Sequence, residues 1–201
     1  MKILVTGSSG FVGKNLTAAL ENIKNGKDRT RPGLHIEDVF YFDLETSLNE
    51  FEKYCKEADF VFNLAGVNRP EKTEEFLAGN FGFAEKLLKT LGKYSNFCPV
   101  MLSSSVHAAG DGDYGKSKKA GEDLFFEYSE KTGAPVFVYR FPNVFGKWCR
   151  PNYNSVIATF CHNIANGLEI KINDPKTELE LLYIDDLVRE MLDLLEGRGH
   201  K

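Results

Sequence analysis

The stretch "VTGSSGFVG" (Val5–Gly13) decides how this chain folds. Gly7, Gly10 and Gly13 stand at intervals of three, between the apolar run "KILV" and the helix-forming "KNLTAAL". Glycine accepts backbone angles and close approaches that a Cβ forbids. A glycine turn between a first strand and a first helix therefore has a specific physical use. Gly7 permits the tight turn, Gly10 lets the backbone approach a pyrophosphate, and Gly13 lets the helix pack close on the sheet. The helix N-terminus offers unpaired N–H groups and partial positive charge to the phosphates. Ser9, Phe11 and Val12 lie in the same turn and are expected to line a bound dinucleotide.

Outward from that turn the apolar pattern alternates. "KILVTG", "DVFYFDL", "DFVFNLAG", "PVMLSSS" and "PVFVYRF" read as strands, apolar on both faces as a covered parallel sheet requires. Between them, "FVGKNLTAALENI", "LNEFEKYCKEA", "EKTEEFLAGNFGFAEKLLKTLGKY" and "GKSKKAGEDLFFEYSEKTG" read as helices, the third interrupted near Gly79 and Gly82. "YNSVIATFCHNIANG" is helical, "ELELLYI" extended and "DDLVREMLDLLEG" helical. The alternation predicts an α/β fold, a doubly wound parallel sheet. A dinucleotide-binding Rossmann domain is expected over 1–145 and a smaller, partial substrate-binding region over 146–201. The polar stretch "NIKNGKDRTRPGLHIE" is the clearest loop, with Lys27, Arg29 and Arg31 read as a solvated face.

With 201 residues, 42% of them hydrophobic, the chain can bury one substantial core. A net charge of -4 argues against nucleic-acid or anionic-membrane partners, which select a basic face. No apolar stretch reaches the roughly 18 residues that span a bilayer. Cys55, Cys98, Cys149 and Cys161 are widely spaced without a CxxC, and the four histidines show no metal-ligand spacing. A reduced, cytoplasmic protein without metal is expected.

The GxxGxxG spacing resembles the short-chain dehydrogenase/reductase superfamily, especially its extended, sugar-nucleotide branch. The resemblance recurs in order along the chain. "NLAG" (Asn63–Gly66) resembles the motif that lines the adenine side of the cofactor, which implies roles for Leu64, Ala65 and Gly66. "LSSS" (Leu102–Ser105) resembles the strand that ends in the catalytic serine, "YGKSK" (Tyr114–Lys118) the YxxxK motif, and "RFPNVFG" and "YIDDLV" later elements. Ser105, Tyr114 and Lys118 are thereby implied as catalytic, with Tyr114 and Lys118 also touching the cofactor.

Tyr114 and Lys118 are four apart, on one helix face. A tyrosine at its usual pKa of about 10 is a poor acid–base group at pH 7, and a neighbouring ammonium, together with the positive nicotinamide ring of an oxidised cofactor, is expected to lower it. Ser105 can fix a substrate oxygen against the phenol. Only nine positions separate Ser105 from Tyr114, so the loop "VHAAGDGD" is short and the substrate mouth is expected to be open there. His107 and Asp111 in that loop are read as solvent-facing. Asp43 and Glu45, in "YFDLET" at the end of the second strand, favour NAD, because a carboxylate hydrogen-bonds the ribose hydroxyls while an arginine would suit NADP. The segment lies about thirty residues past the last glycine, beyond the usual spacing of about twenty, which leaves its register open.

A narrower resemblance lies in "NLAGVNRP" and "RFPNVFGKWCRPNYNSVIATFCHNIANG". These are similar to the capsular-polysaccharide reductases of the CapF/WbjC type, which act in UDP-N-acetyl-L-fucosamine biosynthesis. That resemblance implies reduction of a UDP-4-keto-6-deoxy-N-acetylhexosamine, with NADP as cofactor and NAD not excluded. It implies Asn68, Arg69, Asn143, Arg150 and Asn154 as holders of the UDP-sugar, and a homodimer. Phe145 and Trp148 are expected to pack in the interior. The family also carries a metal-binding cupin domain, which these residues do not encode. Two other readings are a sugar-nucleotide 4-epimerase or dehydratase, and a dinucleotide-binding protein without catalysis.

Overall fold

The computed structural model describes residues 1–67 and 77–198. β1 (Lys2–Thr6) lies inside a sheet of five parallel strands, ordered β2 (Asp38–Phe42), β1, β3 (Phe60–Asn63), β4 (Val100–Ser105) and β5 (Val136–Phe141). Successive strand residues face opposite sides of a sheet. Ile3, Val5, Phe60, Phe62 and Met101 accordingly join one core cluster, while Leu4, Val61, Val100 and Leu102 join the other. The first cluster is closed by α1 (Phe11–Lys24) and α6 (Ile184–Leu195). The second is closed by α2 (Leu48–Glu57), α3 (Phe83–Lys93) and α4 (Asp113–Thr132). This is the doubly wound α/β sheet expected from the alternation.

The strand order places β2 on one side of β1 and β3 on the other. The chain thus reverses its winding at β1, and a crevice opens at the carboxyl ends of β1 and β3, where such sheets bind ligands. Of the long helix expected across these glycines, residues 71–76 lie outside the described residues; Leu77–Gly82 form a wide π turn that runs directly into α3. A Cβ on Gly79 would come within 2.3 Å of Val67 Cγ2, so the turn is pressed against the loop that follows β3.

After β5 the chain leaves the main sheet. β6 (Asn143–Phe145) pairs with β7 (Leu181–Tyr183) in a separate two-stranded parallel sheet. Between them lies α5 (Val156–Ala165), none of whose residues is buried. α6 then returns to the main body and packs beside α1. Arg31 corrects the solvated-face reading of its loop. Its side chain is 9% exposed and binds Asp193 Oδ1 at 2.6 Å and Glu196, and it also donates to the Arg189 carbonyl. The C-terminal turns of α6 attract a cation through these carboxylates and their free carbonyls. Lys27 and Arg29 remain exposed. Among the described residues no helix is long and apolar enough to cross a membrane.

Candidate active site

The glycine turn closes on itself. Gly7 has φ +66°, and a Cβ there would lie 2.8–2.9 Å from backbone atoms of Leu64 and Ala65. Gly7 is therefore both the turn and the contact with the end of β3. The explanation expected for Gly13 changes: a Cβ there would meet Gly7 O at 2.2 Å and Ser8 Cα at 2.8 Å. Gly13 brings the first turn of α1 onto the glycine loop, not onto the sheet. Gly10 caps α1 in an extended conformation, with no side-chain hydrogen bond at the cap and no acidic residue in the first turn. A Cβ on Gly10 would meet only Gly7 O, at 3.1 Å. Its own surroundings press on it far less than on Gly7 or Gly13, and the space beside it is otherwise open. The free N–H groups of α1 and that bare backbone fit a phosphate.

Asp43 follows β2 directly, which resolves its register. Its Oδ2 accepts from Ser9 N at 2.8 Å and Ser9 Oγ at 2.5 Å, and its Oδ1 accepts from Leu44 N at 3.0 Å. Burial pushes this carboxyl up, yet the hydrogen bonds from Ser9 and Leu44 outweigh it and hold the group below the usual carboxylate range. Asp43 is thus an anion at the tip of β2, beside the glycine turn. At the neighbouring tips, Thr6 Oγ1 donates to Asn63 Oδ1 at 2.7 Å and accepts from Ala65 N at 3.2 Å, which fastens the "NLAG" backbone to β1.

The serine run ends β4 and the tyrosine opens α4. The Ser105 hydroxyl faces the Tyr114 phenol closely enough to favour its ionised form. Lys118 Nζ lies 5.9 Å from the centre of the Tyr114 ring and donates to the Ser103 carbonyl at 3.3 Å. A Cβ on Gly115 would come within 2.2 Å of the His107 carbonyl, so glycine is what lets α4 start tight against the short loop. The chain's own groups do not by themselves lower the Tyr114 pKa: burial raises it, and the Ser105 hydroxyl offsets only part of that. Lys118, 9% exposed, is pushed down to about 8 by burial, against the pull of Glu122. At neutral pH the phenol keeps its proton and can donate it.

These groups share one open cleft of about 1640 Å³. Its lining includes the glycine turn with Ser9, Phe11 and Val12, then Asp43, Leu64–Gly66, Ser105, Tyr114 and Lys118. The opposite wall carries Asn143, Arg150 and Asn154. Asn143 belongs to β6 and both its amides donate to the Glu180 carbonyl; Arg150 lies over the Tyr153 ring at 5.5 Å. Asn68 and Arg69 lie outside the described residues. Trp148 departs from the packing expected of it: it is 48% exposed at φ +67°, with Lys147 Nζ 4.1 Å over its ring, and it lines the cleft. Phe145 does pack, against Tyr183 at 5.6 Å.

Residues 3–200 match the NAD dependent epimerase/dehydratase family. The chain belongs to that family. It is 43% identical over 198 residues to the UDP-2-acetamido-2,6-beta-L-arabino-hexul-4-ose reductase of Pseudomonas aeruginosa, covering 98% of this chain and 50% of that protein. It superimposes on the capsular polysaccharide assembling protein CapF of Staphylococcus aureus with a TM-score of 0.85 and 44% identity, covering 100% of this chain and 52% of that one. UDP-glucuronate 4-epimerase 1 of Arabidopsis thaliana is 28% identical over 243 residues, covering 99% of this chain and 56% of the relative. The chain spans about half the length of these relatives.

Two features of this epimerase/dehydratase-family site escaped the sequence reading. Asn80, buried in the π turn, accepts from Val67 N at 3.0 Å through Oδ1 and donates through Nδ2 to the Val67 carbonyl and Ser117 Oγ. It ties the loop after β3 to α4, and a Cβ on Gly66 would strike it at 2.7 Å. The other is a buried carboxylate, Glu122, bound to Arg140 and Ser104. Its signal was present as the next residue in the four-residue spacing from Tyr114 through Lys118.

Proposed function

We propose that this cleft binds a nicotinamide dinucleotide and reduces the 4-keto group of a UDP-linked 6-deoxy-N-acetylhexosamine. The carrying observation is the Ser105–Tyr114–Lys118 cluster, held beside an uncapped glycine-turn helix in a single cleft. The 43%-identical Pseudomonas aeruginosa relative, a UDP-2-acetamido-2,6-beta-L-arabino-hexul-4-ose reductase, supports the substrate class. Likeness to a capsular polysaccharide protein supports a place in surface-polysaccharide synthesis.

The residues fit the dinucleotide. Gly10 leaves room at the backbone, the free N–H groups of α1 face the phosphates, and Leu64–Gly66 flank the adenine side. When bound, the reduced nicotinamide supplies hydride to the carbonyl carbon. The chain does the rest. Ser105 holds the carbonyl oxygen by its hydroxyl, and Tyr114, a neutral phenol kept so by burial, protonates that oxygen as negative charge develops on it. Lys118 sits one turn away as an ammonium at neutral pH, able to hold ribose hydroxyls and resupply the proton. Asn143, Arg150 and Asn154, with Asn68 and Arg69, are proposed to hold the UDP-sugar, since a guanidinium suits a diphosphate.

The resemblance implies NADP, but Asp43 supports NAD as the preferred form. An ionised carboxylate at the tip of β2 can accept from ribose hydroxyls and repels an added phosphate. The test is loss of reduced-nicotinamide absorbance when the chain meets the UDP-4-keto sugar, run with NADH and with NADPH. Oxidation of NADH that requires the sugar supports the reading. Dinucleotide binding without any keto-sugar turnover would leave a binding protein instead.

A further inference from the structure

We infer that Glu122 is a positioning residue for this reduction: it holds the middle serine of the β4 terminus so that the groups on either side meet Tyr114 and Lys118, and its charge keeps the buried ammonium in place. The inference rests on the reading of the cleft given above. Tyr114, Lys118 and Glu122 follow at intervals of four on α4, so they form one stripe along the helix. Glu122 is 1% exposed, and both its oxygens are engaged. Oε1 accepts from Ser104 Oγ at 2.6 Å and Arg140 Nε at 2.8 Å, and Oε2 accepts from Arg140 Nη2 at 2.7 Å.

Ser104 stands between the two residues that touch the cluster. The Ser103 carbonyl accepts from Lys118 Nζ, and the Ser105 hydroxyl faces the Tyr114 phenol. Strand alternation turns Ser104 toward α4, so the fork of Arg140 on Glu122 fixes β4, β5 and α4 against each other at this level. A buried ion pair is weak evidence for stability in itself, because desolvation offsets much of its attraction. At this place it makes sense as geometry. The charge also matters: among the described residues, the titratable or charged groups facing Lys118 are Tyr114 and Glu122 on its own helix and, behind Glu122, Arg140 of β5. Among the described residues, the loop after β3, the π turn and β4 bring Gly66, Asn80 and the Ser103 carbonyl, all neutral, to this ammonium.

The test reads Lys118 directly, by NMR titration of its side-chain carbon next to the ammonium in the free protein, alongside turnover of the keto sugar. In Glu122→Gln the Lys118 midpoint should move to lower pH, a proton affinity weakened about tenfold, because the attracting charge is gone and Arg140 is unpaired. Its kcat should fall roughly tenfold with the dinucleotide KM within about twofold, as for a loss felt in the transition state. Ser104→Ala cuts the tie but keeps the ion pair, so kcat should fall while the Lys118 midpoint stays. An unmoved midpoint in Glu122→Gln, or undiminished kcat in Ser104→Ala, overturns the inference. Tyr114→Phe is the reference: if it too turns over normally, the reductase reading of the cleft has failed, and this inference with it.

Discussion

The two walls of the cleft are built differently. The dinucleotide wall hangs from the main sheet, where Leu4, Val5, Phe62 and Met101 are each 0% exposed and strand tips are cross-bonded. The opposite wall rests on two three-residue strands and α5, and it leaves Ile164 at 66%, Leu168 at 53% and Ile172 at 63% exposure. The contrast teaches that the groups proposed for chemistry are pre-positioned by a closed core. The groups proposed for the sugar are held by few contacts.

The largest expected break falls on the closed wall. Gly13→Val forces a Cβ into the 2.2 Å gap to Gly7 O, so calorimetry should find dinucleotide binding lost and thermal melting should show destabilisation of about 3 kcal/mol or more. Gly10→Val is its counterpart: binding should be lost while melting falls far less, because a Cβ at Gly10 meets only Gly7 O, at 3.1 Å. If both variants lost stability equally, the two roles would not be separable.

Next in size is Tyr114→Phe. It keeps the ring and removes the proton, and keto-sugar turnover should fall by about 10²–10⁴ with dinucleotide affinity unchanged. Lys118→Met comes third. The Lys118 pKa in the folded protein, about 8, lies below the ordinary lysine value of 10.5. The buried charge therefore destabilises the fold fully below pH 8, and that cost fades as pH rises toward the unfolded value. Lys118→Met should stabilise the protein at pH 7 by at most about 3 kcal/mol, with the gain vanishing near pH 10.5 in denaturant titrations. A gain that instead grew with pH would contradict the burial argument. Smallest is Ile172→Ser on the open wall, expected to change stability by less than about 0.5 kcal/mol, against about 3–5 kcal/mol for Phe62→Ala in the core. A large loss from Ile172→Ser would show that the open wall is packed in solution.

Much of the site was legible because its residues are local in sequence. The glycine turn, "SSS" and "YGKSK" each sit within a few positions, and strand or helix periodicity then aims them. Arg31, Trp148 and Glu122 were misread or missed for one shared reason. Arg31 meets Asp193 and Glu196 across the fold, and Glu122 meets Ser104 and Arg140 from other elements. Trp148 escapes the core because it follows β6, which has left the main sheet.

The sequence by itself determined the parallel doubly wound sheet, the place of the glycine turn at its head, and the alignment of Tyr114 with Lys118, since each follows from backbone periodicity and the steric freedom of glycine. Only the tertiary structure decided the charge states. Tyr114 is raised and Lys118 lowered by burial, and Asp43 is held as an anion by Ser9, a neighbour 34 residues away. Periodicity says which way a side chain points. How much water it loses and which partner it meets depend on elements distant in sequence, and those two quantities set its proton.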